Sequence, residues 1–196
     1  MLADVIHATR LVADALEKLG VTYVVCGSLA SSVHGMVRTT MDTDLIADLQ
    51  QEQIIPLVEL LEDAFYIDEE MIRSAIQRRS FFNIVHLESM FKVDIFIPRQ
   101  RLFDRNQLSR RQETNIGEEQ ISLFILSPED TVLAKLEWYR MGNEISDRQW
   151  RDILGVLMIQ EDGLDHPYLR RMADKLGVAD LLESALQEAF SSTGQD

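Results

Sequence analysis

Positions Leu2, Val5, Ile6, Thr9, Val12, Ala13, Leu16 and Leu19 recur at three- and four-residue intervals. That spacing gathers them on one face of a helix, and Gly20 is placed to close it. Val21 to Cys26 is a short, continuously apolar run and predicts a buried strand. A short helix is expected from Leu29 to about His34, ended by Gly35, before a second strand that carries Asp42 and Asp44. Glu52 to Ala64 reads as a covering helix with Pro56 in its first turn, with Asp48 ahead of it as a helix cap. Asp68 to Gln77 predicts a shorter helix.

The period then changes to that of strands. Phe81 to Leu87 and Phe91 to Ile97 predict two strands around the turn Glu88-Ser89-Met90. Pro98 ends the second, and the Arg-rich stretch to Arg111 has no long apolar period, so it predicts a loop, a short helix or an edge strand pair. Gln120 to Leu126 reads as another strand. Beyond it the signals are helical. Ser127-Pro128-Glu129-Asp130 is a helix start, with Ser127 as N-cap and Asp130 as a shorter stand-in for the usual capping-box Glu. Ser146 and Gln149 form a second capping box before Trp150, Ile153, Leu154, Leu157 and Met158. His166 to Leu176 and Ala179 to Phe190 predict two more helices, separated by Gly177. Trp138 and Trp150 are expected in the core.

Composition adds bounds. A chain of 196 residues, 46% apolar and 27% charged, is that of an ordinary globular protein able to bury a sizeable core. Its single cysteine, Cys26, excludes an intramolecular disulfide, suits a reducing cytoplasm and is read as a packing residue. No apolar run reaches the length of about 20 residues that spans a bilayer, and the start lacks the plan of a signal peptide. A cytoplasmic location without a membrane partner is expected. The net charge of −14 argues against a surface that grips nucleic acid throughout, yet Met71 to Arg111 holds nine Lys or Arg against three acids. This stripe has two readings: a grip for an acidic acceptor or a triphosphate, or a solvated face paired with acidic helices.

The chemistry concentrates in Cys26-Gly27-Ser28, a gap of thirteen residues, and Asp42-Thr43-Asp44-Leu45. Alternate residues of a strand share a face, so Asp42 and Asp44 project together. Two carboxylates that close repel unless neutralised, and hard divalent cations with oxygen ligands do this well. Gly27 permits positive φ or close backbone approach, and Ser28 is read as capping the following helix, whose free N–H groups suit a polyanion. Together they outline the geometry a nucleoside triphosphate needs. Arg38 is a candidate phosphate donor or a salt-bridge partner for a neighbouring Asp, and His34 a phosphate contact or a packing residue.

On these residues the chain resembles the DNA polymerase β-like nucleotidyltransferases, whose signature is an apolar residue, Gly, Gly or Ser, a gap, then Asp, any residue, Asp or Glu. The resemblance implies a third carboxylate on a later strand, and Asp94 within Phe91-Lys92-Val93-Asp94-Ile95-Phe96-Ile97 supplies it. Arg38 to Asp44, together with Ser127 to Asp130, Lys135 and Asp147, looks like the small bacterial branch that includes the AbiEii-type toxins, with Asp152 further along the helix that Asp147 opens.

That likeness implies an α/β (α+β) fold, a short mixed sheet flanked by helices with a helical C-terminal part. Residues 1–126 would form the nucleotidyltransferase core, 127–190 the helical part and 191–196 a flexible tail. It implies transfer of NMP from an NTP, with two Mg²⁺ held by Asp42, Asp44 and Asp94. Gly27, Ser28, Arg38 and Lys135 would bind the nucleotide, while Asp147 has a second explanation in the favourable field at its helix start. The implied acceptor is a tRNA, other RNA, a protein or a small molecule, and a toxin role would add a cognate antitoxin. A metal-dependent phosphodiesterase and a non-catalytic binding protein are the alternatives.

Overall fold

The computed structural model describes residues 2–36 and 42–191. Arg38 and the tail beyond Ser191 therefore lie outside the described residues. The chain divides into two compact units, whose described parts are 2–26 with 42–125, and 27–36 with 126–191.

The first unit is a mixed sheet with helices. Helix α1 (Leu2–Lys18) ends where Gly20, at φ +68°, turns the chain so that Val21 N–H bonds the Leu16 carbonyl. Strand β1 (Tyr23–Cys26) is fully buried, as its apolar run predicts, and pairs antiparallel with β2 (Asp42–Ala47). A 3-10 turn at Gln51–Gln53 leads into α3 (Ile54–Leu61), with Pro56 in the first turn. Asp48 is not the cap expected of it: Gln50 occupies that position, and Asp48 accepts a bond from the Gln50 amide.

The short strand β3 (Phe65–Tyr66) was invisible in the pattern. Helix α4 (Glu69–Arg78) follows, capped by Asp68, whose carboxylate accepts the Met71 N–H at 2.7 Å. Strands β4 (Phe81–His86) and β5 (Lys92–Phe96) form the expected hairpin. The Arg-rich stretch resolves into α5 (Leu102–Ser109) and the edge strand β6 (Gln112–Ile116), which pairs antiparallel with β7 (Ile121–Ile125). Among the described residues the sheet has seven strands in the order β3-β4-β5-β2-β1-β7-β6.

One face of this sheet is core. Val25, Leu45, Ile95 and Phe82 align across four strands, each with at most 2% exposure. Thr43 lies on the same face and meets α1 through a buried bond from Thr9 Oγ1, 3.1 Å long. The alternate residues Asp42, Asp44 and Ile46 face the other way and are half-buried.

The second unit is helical. Its members are α2 (Gly27–His34), α6 (Pro128–Met141), α7 (Asp147–Gln160), α8 (His166–Leu176) and α9 (Ala179–Ser191). Ser127 caps α6 with Pro128 at its start, Ser146 Oγ accepts the Gln149 N–H at the start of α7, and Gly177 at φ +70° closes α8. Ser28 lies in the first turn of α2, which begins at Gly27. Trp150 packs against Tyr139 and donates to Glu188, but Trp138 is 50% exposed and does not belong to the core. Its position in α6 turns away from the buried side lined by Val132, Leu133 and Leu136.

The end of α2 approaches α7 backbone to backbone. A Cβ on Gly35 would stand 2.9 Å from the Val156 nitrogen and from the Ser31 carbonyl oxygen, and 3.0 Å from the Gly155 carbonyl carbon. Only glycine fits there, and none of these backbone atoms can move aside alone. Gly35→Ala is therefore expected to cost about 2 kcal/mol and lower the melting temperature by about 4–8 °C. Gly163→Ala, where a Cβ would meet nothing within 4 Å, should stay close to wild type in the same circular-dichroism melt.

Candidate active site

Period-2 projection and strand register assemble the carboxylates. Asp42 and Asp44 lie two residues apart on β2, and β5 runs parallel to it with Asp44 opposite Asp94 and Asp42 opposite Lys92. Residues opposite each other in a ladder share a face, so Asp42, Asp44, Asp94 and Lys92 rise from the same side of the sheet. Cys26 and Asn83 flank this row, as the register partners of Asp44 and Asp94. The sheet thus places Asp94 beside Asp44.

Asp94 is buried, with 8% of its surface exposed, in a strand whose neighbours Val93 and Ile95 are core residues. Its Oδ2 accepts a charge-assisted bond from Lys92 Nζ at 2.7 Å, while its Oδ1 is buried without a hydrogen-bond partner. The bond to Asp94 holds the Lys92 ammonium above the usual lysine range against partial desolvation, and Asp42 and Asp44 add to the effect. Lys92 was missed by motif reading. The signal was present, because in a strand a lysine two residues before Asp94 must share its face.

In the second unit, Gly27 opens α2 with φ +61°, a conformation that favours glycine, and Ser28 follows it. The Ser28 carbonyl accepts bonds from the hydroxyls of Ser31 and Ser32. His34 is buried; its Nε2 donates to the Leu126 carbonyl oxygen at 2.6 Å, and burial holds its pKa below the usual histidine value. This is the packing role, not a phosphate contact.

Lys135 has Thr131 and Tyr139 one turn away on its own helix, and its partner lies on the next one. Its Nζ bonds Asp152 Oδ2 on α7 at 2.8 Å, and each side chain is only 10% exposed. Asp147 is exposed in the first turn of α7, where the helix dipole accounts for a carboxylate.

Much of the basic stripe is spent locally. Arg73 pairs with Glu69 and Glu70, Arg101 with the buried Asp104 at 2.7 Å, and the Arg111 guanidinium lies 4.5 Å from the centre of the Phe124 ring. Arg78, Arg99 and Arg105 remain exposed.

The family model described as "Nucleotidyltransferase of unknown function (DUF6036)" matches residues 1–191, and the chain belongs to that nucleotidyltransferase family. No curated protein matches its sequence. Among solved structures, an antigenic nucleotidyltransferase-like protein from Paracoccidioides brasiliensis is similar at 15% identity and a TM-score of 0.53, over 96% of this chain and 97% of that one. The antibiotic-resistance factor ANT(2'')-Ia is similar at 11% identity and a TM-score of 0.51, over 98% and 96% of the two chains. At these identities the shared property is the fold. The chain is an enzyme of the nucleotidyltransferase class, with the mixed α/β fold of its structural neighbours. No described helix is long and apolar enough to cross a membrane.

The resemblance implies divalent ions, and the carboxylate face offers the hard oxygen donors they prefer. Among the described residues no three His, Cys, Asp or Glu side chains are gathered closely enough to hold an ion as they stand. The backbone register nevertheless sets three aspartates on adjacent strand positions, and the orphaned Asp94 Oδ1 is a buried acceptor in want of a cation or donor. The chemistry of this donor set, three carboxylates on one face, suits such an ion.

Proposed function

We propose that this enzyme transfers a nucleoside monophosphate from an NTP to an acceptor hydroxyl or phosphate, using the aspartate face of its sheet. The observation that carries the reading is the register of Asp44 beside Asp94, with Asp42 two residues along the same face. Asp42, Asp44 and Asp94 would hold two Mg²⁺, which supply Lewis-acid stabilisation of charge on the attacked phosphate and the pyrophosphate that leaves.

The chain's own groups have separate tasks in this reading. Asp94 takes the proton from the acceptor hydroxyl. Gly27 and Ser28 offer N–H groups at the start of α2 to the β- and γ-phosphates, and by chain connectivity they follow Cys26, the register partner of Asp44. Lys135 and Arg38 are the cationic candidates for the same phosphates. For Lys135 this role requires exchange of its bond to Asp152.

The AbiEii-type motifs support a finer reading, in which the enzyme is the toxin of a toxin–antitoxin or phage-defence system with a tRNA or protein acceptor. The exposed Arg78, Arg99 and Arg105 are then the residues to probe for RNA binding. Arg101 is unsuitable, because its charge is committed to Asp104.

Isothermal titration of ATP, GTP, CTP and UTP with Mg²⁺, on wild type and on Asp42→Asn/Asp44→Asn, tests the core of the proposal. Metal-dependent binding of at least one nucleotide, lost in the double variant, is the expected result. Equal binding by both proteins would sink the assignment of these aspartates. Hydrolysis of a phosphodiester without NTP would turn the reading toward a phosphodiesterase, and absence of both metal and nucleotide binding toward a non-catalytic binding protein.

A further inference from the structure

The aspartate face carries a cation for which the transfer chemistry has no task. Lys92 is the register partner of Asp42 and stands two residues before Asp94, so it rises among the three carboxylates. Its Nζ lies 2.7 Å from Asp94 Oδ2. Like charges on adjacent ladder positions repel, and an ammonium with three donors among them relieves that repulsion.

The arrangement is only half complete. Asp94 Oδ2 is neutralised by Lys92, whereas Oδ1 is buried and unpartnered. A divalent ion that takes Asp94 as a ligand brings a second, larger positive charge within a few ångström of the ammonium. Two cations on one carboxylate oppose each other, and one must yield. The ion is held by several ligands; the lysine has a flexible four-carbon stem and its side chain is 45% exposed, so it is free to swing into water.

We propose that Lys92 is a resident counter-cation that occupies Asp94 in the metal-free enzyme and is displaced when a divalent ion binds, so that it lowers metal affinity. The inference rests on the reading of Asp42, Asp44 and Asp94 as metal ligands. It makes Lys92 a positioning residue, which keeps the carboxylates folded together until the ion arrives.

The test is Mn²⁺ binding without nucleotide, with free ion counted by electron paramagnetic resonance, on wild type, Lys92→Met, Lys92→Arg and Asp44→Asn. Lys92→Met is expected to bind Mn²⁺ about tenfold more tightly than wild type, while Lys92→Arg, which keeps the charge, stays near it. Metal-free Lys92→Met should also melt below wild type, and saturating Mn²⁺ should close the gap. Unchanged or weaker Mn²⁺ binding by folded Lys92→Met, with binding lost in Asp44→Asn, overturns the role of Lys92 and leaves the metal reading standing. No binding by wild type or by either Lys92 variant overturns both. Should Lys92→Met not fold, the ammonium resonance of Lys92 in wild type decides: it must change on saturation with Mg²⁺, and an unaltered signal refutes displacement.

Discussion

Asp44→Asn is expected to lower NMP transfer by about three orders of magnitude while leaving the protein as stable as wild type or slightly more so. Asparagine keeps the size and one acceptor oxygen of aspartate and removes only the charge. If Asp44 serves a metal, that charge is what the ion needs, and transfer fails in the chemical step. Within the sheet, however, Asp44 stands beside Asp94 and two residues from Asp42, so its charge adds to repulsion among like groups. Residues kept for chemistry at the expense of stability show this split, whereas a carboxylate kept for structure shows the reverse. The measurements are label transfer from an α-labelled NTP to acceptors in a cell extract, and a thermal melt with and without Mg²⁺ and NTP. Wild type should gain stability from the ligands and the variant should not. A variant that melts far below wild type would move Asp44 from the catalytic to the structural class.

Lys135→Met is expected to destabilise the protein by about 3 kcal/mol, because it leaves Asp152 buried without its ammonium partner. Both side chains are 10% exposed, so water cannot readily replace the lost ion pair. Removing both charges, in Lys135→Met/Asp152→Leu, should recover most of that loss, since well-packed apolar side chains of similar volume do about as well as a buried pair. The double variant thereby separates two roles of Lys135. If the lysine only closes the helix pair α6–α7, the double variant is stable and binds Mg²⁺ and nucleotide like wild type. If it also holds the triphosphate, the double variant is stable but binds nucleotide more weakly. Denaturant melts of the single and double variants give the coupling, and nucleotide titration of the double variant decides between the outcomes.

What the sequence determined by itself is local. A period of two on a strand obliges Asp42 and Asp44 to share a face, whatever lies beside them. Helix starts at Ser127 and Asp68 and stops at Gly20 and Gly177 follow from side chains and backbone within a few residues. The hairpin of β4 and β5 was legible for the same reason, as its two strands adjoin across a short turn. The edge strand β6 and the two-residue β3 were not legible, because strands with so little apolar alternation are defined by the neighbour they pair with.

The tertiary structure decided everything that depends on residues distant in the chain. The parallel pairing of β2 with β5 sets Asp94 beside Asp44 and, by the same register, Lys92 beside Asp42; no local rule selects that partner strand. Lys135 finds its carboxylate on the next helix, seventeen residues away, while Thr131 and Tyr139, one turn along its own helix, carry none. Gly35 is required because the backbone of Gly155 and Val156 passes within 3 Å of where its Cβ would be. The physical reason is common to all three: propensity and periodicity act over a few residues, while register, ion pairing and close backbone approach are chosen by the burial of the whole core.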